Sequence, residues 1–158
     1  YTVDKGFGPI EMNSFNHYAY GAVGEWLYRF VAGIETDEQQ PGFRHIVLQP
    51  TPDTRTTLPS GQERITSARA SYTSNYGEIV SEWSAENGNT ATYNVTVPAN
   101  TTATLYLPAG TSSVIHERDI AAERAKGVSF KGFYEGKAVY ELGSGSYHFK
   151  VSNMILRE

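Results

Sequence analysis

The sequence predicts a mainly β fold, an antiparallel β-sandwich preceded by one long N-terminal α-helix, and three features of its 158 residues carry that prediction. A helical period runs from Ser14 to Ala32, a period of two runs through most of the chain after Ile65, and turn residues punctuate the second region at short intervals. A closed barrel is the runner-up arrangement of the same strands.

The helix is predicted first because Phe15, Tyr18, Ala19, Ala22, Val23, Trp26, Leu27, Phe30 and Val31 follow the i, i+3, i+4, i+7 spacing. Ser14 or Asn13 supplies an N-cap oxygen, Glu25 and Arg29 form an i, i+4 pair of favourable orientation, and Gly33 stands where a left-handed C-terminal residue belongs. The opposite face, with His17, Tyr20, Gly21, Gly24 and Tyr28, is almost uncharged. A helix that is apolar nearly all round needs neighbours on both sides, and no second helix of that length follows. Burying the nine apolar side chains is worth at most on the order of 14 to 27 kcal/mol. One small sandwich cannot cover both faces, so an exposed apolar patch around the helix is expected in the isolated chain.

Glu35 to Gly42 is a polar connector, and Phe43 to Gln49 is strand-like. Pro50 to Gly61 reads as a loop because of its prolines and threonines. Beyond it Ala68, Ala70 and Tyr72 alternate with polar residues, and Asn75-Tyr76-Gly77 turns the chain into Glu78–Ala85, where Trp83 is the expected core anchor. Asn87-Gly88 is the strongest hairpin signal. Tyr93, Val95 and Val97 alternate up to Pro98, and Ala103, Leu105 and Leu107 up to Pro108. Gly143-Ser144-Gly145-Ser146 joins the strands Ala138–Leu142 and Tyr147–Val151. Arg118 to Lys126 is charged, lacks an apolar stripe and reads as a surface connection. Strands at this spacing favour two packed sheets.

Composition excludes several function classes. Lys and Arg number 13 against 17 Asp and Glu, so the net charge is −4, and nucleic acid is not an expected partner. The absence of Cys removes disulfides, thiolate metal sites and cysteine nucleophiles while leaving the compartment open. No stretch approaches the roughly 20 apolar residues needed to cross a bilayer, and residues 1–11 lack the basic start and apolar run of a signal peptide. No membrane partner is expected. The start at Tyr1 rather than Met reads as a cut inside a longer polypeptide.

The four histidines, His17, His45, His116 and His148, show neither HxxxH nor HxH spacing, so no metal site and no cofactor are expected. The last three lie in strand-like segments and read as ordinary surface or edge residues. His17 differs, because Asn16, Tyr20 and Gly21 stand beside it and together offer hydrogen-bonding groups, an aromatic wall and open space. On the residues alone a bond to a neighbouring helix is favoured over a contact to a small polar ligand. Glycoside hydrolysis needs two carboxylates flanking one pocket, and no such pair is evident. Glu82 and Glu86 sit on or next to a strand, Glu117, Asp119 and Glu123 read as solvated charges, and Glu11 is a minor candidate near the helix start. Tyr72, Trp83, Tyr93 and Tyr147 occupy alternating strand positions and read as core rather than a sugar-stacking surface. Asn94-Val95-Thr96 and Asn100-Thr101-Thr102 match the glycosylation sequon.

Residues 12–28, Met-Asn-Ser-Phe-Asn-His-Tyr-Ala-Tyr-Gly-Ala-Val-Gly-Glu-Trp-Leu-Tyr, resemble the closing motif of the catalytic barrel of bacterial α-L-rhamnosidases, glycoside hydrolase family 78. Gly33-Ile34, Pro41-Gly42-Phe43-Arg44-His45-Ile46, Gln49-Pro50, Ala68-Arg69-Ala70-Ser71-Tyr72, Tyr76-Gly77, residues 98–103 and Gly143-Ser144-Gly145-Ser146-Tyr147 are similar to that family's C-terminal β-sandwich. The resemblance covers essentially the whole chain. It implies residues 1–33 as the terminal helix of an (α/α)6 catalytic barrel, 34–42 as a linker and 43–158 as the C-terminal β-sandwich domain. It implies an enzyme that hydrolyses terminal α-L-rhamnose with inversion, with an upstream barrel as partner and a rhamnoside as substrate. The family's acid and base are glutamates upstream of the motif, so no catalytic residue is assigned here and the chain alone is expected to be inactive. The motif histidine matches His17, which the resemblance implies as a sugar contact with Asn16 and Tyr20 as neighbours. An independent carbohydrate-binding module and a purely structural accessory domain are the alternatives.

Overall fold

Alternate burial organises the strands. In the computed structural model, which describes residues 4, 6, 21–53, 55, 57–86 and 89–154, inward residues are mostly apolar and their neighbours mostly partly exposed along the central strands. Among the described residues eleven strands form two sheets. One contains β1 (Ile34–Thr36), β2 (His45–Leu48), β6 (Thr102–Pro108), β10 (Lys137–Leu142) and β9 (Val128–Tyr134), in that spatial order. The other contains β3 (Ser67–Ser74), β4 (Gly77–Glu86), β5 (Thr90–Val97), β11 (Gly145–Ser152), β7 (Val114–Glu117) and β8 (Ile120–Ala121).

The sheets share one core. Ile46, Leu48, Leu105, Leu107, Tyr140 and Leu142 come from the first, and Ile79, Trp83, Tyr93, Val95, Phe149 and Val151 from the second. The predicted sandwich is therefore the observed architecture, with Trp83 as a core anchor. Turns fall where turn residues stand: Asn75 and Tyr76 join β3 to β4, and β4 pairs antiparallel with β5 across the Asn87-Gly88 position, which lies outside the described residues.

Three expectations need correction. The pairing is not wholly antiparallel, because β2 runs parallel to β6. The chain crosses to the other sheet and back between them, so no hairpin constrains their relative direction. Ile34–Thr36, expected at the head of a linker, is the edge strand β1, whereas Gly143-Ser144 joins β10 and β11 as expected, the join being a passage between sheets. The stretch 118–126 is more than a surface connection: it contains β8 and a 3₁₀ turn, Ala122–Arg124, with Ala122 and Ala125 buried.

The described helix starts at Gly21; residues 14–20, expected to be helical, and both proposed N-caps lie outside the described residues. An α-helical segment Gly21–Trp26, α1, continues as a π-helical turn Leu27–Ala32. Its end is fixed by Gly33, whose left-handed backbone (φ 75°, ψ 33°) brings its N–H to the Tyr28 carbonyl. A Cβ at Gly33 would lie 2.1 Å from the Gln49 backbone carbonyl carbon, so a side chain is excluded by conformation and by space. The last carbonyls of the π turn, which no further turn can bond, accept from β4: Ser81 Oγ donates to Ala32 O at 2.5 Å and Trp83 Nε1 to Val31 O at 2.7 Å. Both donors belong to buried residues.

Gly33→Ala is expected to destabilise the chain by on the order of 3 kcal/mol, and Ser81→Ala by about 1–3 kcal/mol because a buried carbonyl loses its donor. Urea unfolding followed by circular dichroism measures both; unchanged midpoints would contradict this account of the junction. Burial also pushes the Tyr140 phenol up to about 12 and that of Tyr93 higher. Since the folded phenols ionise later than the unfolded ones, stability should hold below pH 10 and fall as the pH climbs past 10 toward 12. Urea midpoints across that range, paired with phenolate absorbance, test the sign.

Candidate functional site

His17, Asn16, Tyr20 and the minor candidate Glu11 lie outside the described residues. The described helical segment, Gly21 to Ala32, shows what surrounds its C-terminal end. Val23, Trp26, Leu27, Tyr28 and Phe30 are exposed, with Trp26 at 50% and Phe30 at 54%. The two charged side chains between Gly21 and Ala32 are spent on each other, Arg29 Nη1 donating to Glu25 Oε1 at 2.9 Å as the i, i+4 spacing predicts. The helix is thus held at its C-terminal end by the sandwich and presents an apolar flank to the outside.

Arg29 also pairs with Glu35 on β1, tying the helix to the edge of the first sheet. An open groove of about 380 Å³ lies there, lined by Arg29, Glu35, Thr36, Asp37, Glu38, Gln39 and Val47. Hydrogen bonding to Glu25 and then Glu35 raises the already high Arg29 pKa, so its charge is permanent. The groove is polar and shallow, and its one guanidinium is already engaged by carboxylates.

The other candidates divide as follows. His45 sits on β2 with Nδ1 at 2.7 Å from Thr102 Oγ1 and Nε2 at 2.8 Å from Thr104 Oγ1, both on β6. His148 Nδ1 lies 2.5 Å from Asn94 Oδ1 across β11 and β5, and His116 is on β7. These histidines occupy strand positions as expected, and Asn94 of the first sequon is held in a cross-strand contact. Among the described residues no group of three or more His, Asp or Glu is placed to hold a metal ion. Glu82 faces Arg69 at 3.6 Å, while Glu86, Asp119 and Glu123 are exposed.

Two residues depart from expectation. Glu117 is buried rather than solvated: it stands opposite Phe149, and its Oε1 accepts from the His148 backbone N–H and from Arg118 Nε, each at 3.2 Å. Its position two residues after Ile115, on the same face of β7, was the signal for this. Tyr72 is 42% exposed although it shares the face of buried Ile79, because β3 is the edge strand of its sheet. Trp83, Tyr93 and Tyr147 are buried as expected. Exposed Phe130, Phe133 and Tyr134 on the opposite edge, β9, went unnoticed because Gly132 and a register irregularity break the alternation there.

Comparison with known proteins accords with this architecture. The family profile for the bacterial alpha-L-rhamnosidase C-terminal domain matches residues 33–121, beginning at the glycine that ends the helix. An alpha-L-rhamnosidase of Streptomyces avermitilis is 39% identical over 148 residues, covering 94% of this chain and 12% of the relative. One from an Alteromonas species is 30% identical over 151 residues, covering 96% of this chain and 14% of the relative. Among solved structures, the S. avermitilis alpha-L-rhamnosidase complexed with L-rhamnose aligns with TM-score 0.69 and 37% identity over 95% of this chain and 13% of that one. The alpha-L-rhamnosidase from Dictyoglumus thermophilum aligns with TM-score 0.70 and 28% identity over 89% of this chain and 14% of that one. The chain thus spans roughly an eighth of the length of the relatives it matches. With a two-sheet core of the same form and a profile match over more than half its residues, the chain belongs to the family of bacterial α-L-rhamnosidase C-terminal domains.

Proposed function

We propose that this chain is the C-terminal part of an inverting α-L-rhamnosidase that removes terminal α-L-rhamnose from glycosides or polysaccharides. In this reading residues 1–33 are the last helix of the catalytic barrel, 34–42 lead out of it, and 43–158 form a sandwich that buttresses it. The observation that carries the reading is the helix itself. Its C-terminal carbonyls are bonded to buried Ser81 and Trp83, yet Val23, Trp26, Leu27 and Phe30 stand in solvent. A contiguous flank of that composition marks a surface that another body covers, and the relatives are about eight times longer.

The catalytic acid and base are assigned to the upstream barrel, and His17 contributes a hydrogen-bonding group to the sugar pocket with Asn16 and Tyr20 beside it. The chain's own task is mechanical: it fixes the end of the helix whose earlier turns carry His17. A contact of that kind positions the sugar ring, and removing it costs rate through misorientation rather than through loss of an acid or base.

The purified chain should give no turnover of an aryl α-L-rhamnoside above buffer; measurable hydrolysis would refute the division of labour. In the full-length enzyme, His17→Ala should lower kcat/KM about tenfold to a hundredfold with the thermal midpoint preserved. An unchanged kcat/KM would favour a structural role for His17.

A further inference from the structure

The two sequons, Asn94-Val95-Thr96 and Asn100-Thr101-Thr102, have no part in the function proposed above, and the fold treats them differently. Asn94 is central in its sheet. β5 is paired with β4 on one side and β11 on the other, and Asn94 is registered between Glu82 and His148, its Oδ1 2.5 Å from His148 Nδ1. Asn100 sits instead in the turn that carries the chain from β5 in one sheet to β6 in the other. The base of that turn is packed: Pro98 and Thr101 are buried, Thr101 Oγ1 donates to the Pro98 carbonyl at 2.7 Å, and Ser144 Oγ donates to the Thr101 carbonyl at 3.1 Å. Above the base Ala99 and Asn100 are exposed, and Asn100 takes φ 60°, a left-handed conformation that Asn tolerates better than most residues with a side chain. Thr102, the first residue of β6, is exposed as well, with Oγ1 2.7 Å from His45 Nδ1, so the hydroxyl that the sequon requires lies at the surface beside its asparagine.

We propose that Asn100 is an acceptor for an N-linked glycan in the folded chain and that Asn94 is not, the donor being an oligosaccharide carried on a lipid pyrophosphate. In the transfer Asn100 Nδ2 forms a bond to C1 of the first sugar, the C1–O bond to the pyrophosphate breaks with its electron pair leaving on the lipid pyrophosphate, and the amide gives up one proton. Nothing is oxidised or reduced. A bulky, hydrated glycan at Asn100 projects into solvent from the end of the sandwich while Pro98 and Thr101 stay packed beneath it. At Asn94 the same group would take the amide away from His148 and stand between the side chains of β4 and β11. Transfer there also requires β5 to open, and a strand bonded on both sides opens only with the body of its sheet.

Incubating the full chain, folded, with an oligosaccharyltransferase and a lipid-linked oligosaccharide tests this, with a synthetic peptide of residues 90–104 as the unfolded reference. Mass spectrometry after enzymatic deglycosylation in heavy-oxygen water reads each site, because every asparagine that carried a glycan returns as labelled aspartate. The peptide should be modified at both sequons and the folded chain at Asn100, with Asn94 in the folded chain more than about tenfold slower than in the peptide. Thr102→Ala should abolish modification of Asn100, and Thr102→Ser should retain it. A folded chain left unmodified at Asn100, or a peptide modified at neither sequon, would overturn the site. Modification of Asn94 in the folded chain within about tenfold of the peptide's rate would overturn the distinction drawn from the sheet.

Discussion

Two hydrogen bonds set the geometry on which the rest of the structure depends, Ser81 to Ala32 O and Trp83 to Val31 O. Each solves a problem for both partners. The final carbonyls of a helix have no partner of their own, and a serine in the inner row of a sheet, between Ile79 and Trp83, would be an unpaired hydroxyl in an apolar core. Bringing the helix end onto β4 satisfies both. Gly33 makes the approach possible, since it reverses the backbone against Gln49, whose N–H in turn donates to the Gly33 carbonyl at 2.8 Å. Helix, first sheet and second sheet meet within three consecutive residues.

That meeting has a directional consequence. With its end bonded to β4 and Arg29 tied to Glu35 on β1, the helix is held from both sheets at one end. The covered side of the turn is short, Val31 and Ala32, so most of the apolar surface of the helix faces away from the sandwich. From the turn only Val31 packs against the sandwich core. A β-domain that grips an otherwise exposed helix by its last turn accords with the proposed role as a buttress.

Much of this was legible in the sequence where the cause is local. Gly33 as a helix stop, Glu25 with Arg29, the turn at Asn75-Tyr76 and the inner rows of β5 and β6 all follow from spacing or from one residue's conformational range. What escaped depends on which strands become neighbours. Period two places Tyr72 inward but does not say that β3 is an edge, and it cannot show that Gly143-Ser144 changes sheets or that β2 lies parallel to β6. The π turn was equally hidden, because its bonds to β4 are tertiary. Ser81 offered a clue: a hydroxyl between Ile79 and Trp83 on an otherwise apolar row calls for a buried partner. His17 is a different case, since the role proposed for it comes from the resemblance of residues 12–28 and not from spacing.

Native-state hydrogen exchange of residues 27–33, in the wild type and in Ser81→Ala, tests the central claim most directly. The account predicts that the wild-type π turn exchanges as slowly as the amides of β4, and that removing the Ser81 hydroxyl speeds exchange in the turn while β4 keeps its protection. A turn that already exchanges freely in the wild type, or one indifferent to the substitution, would contradict it.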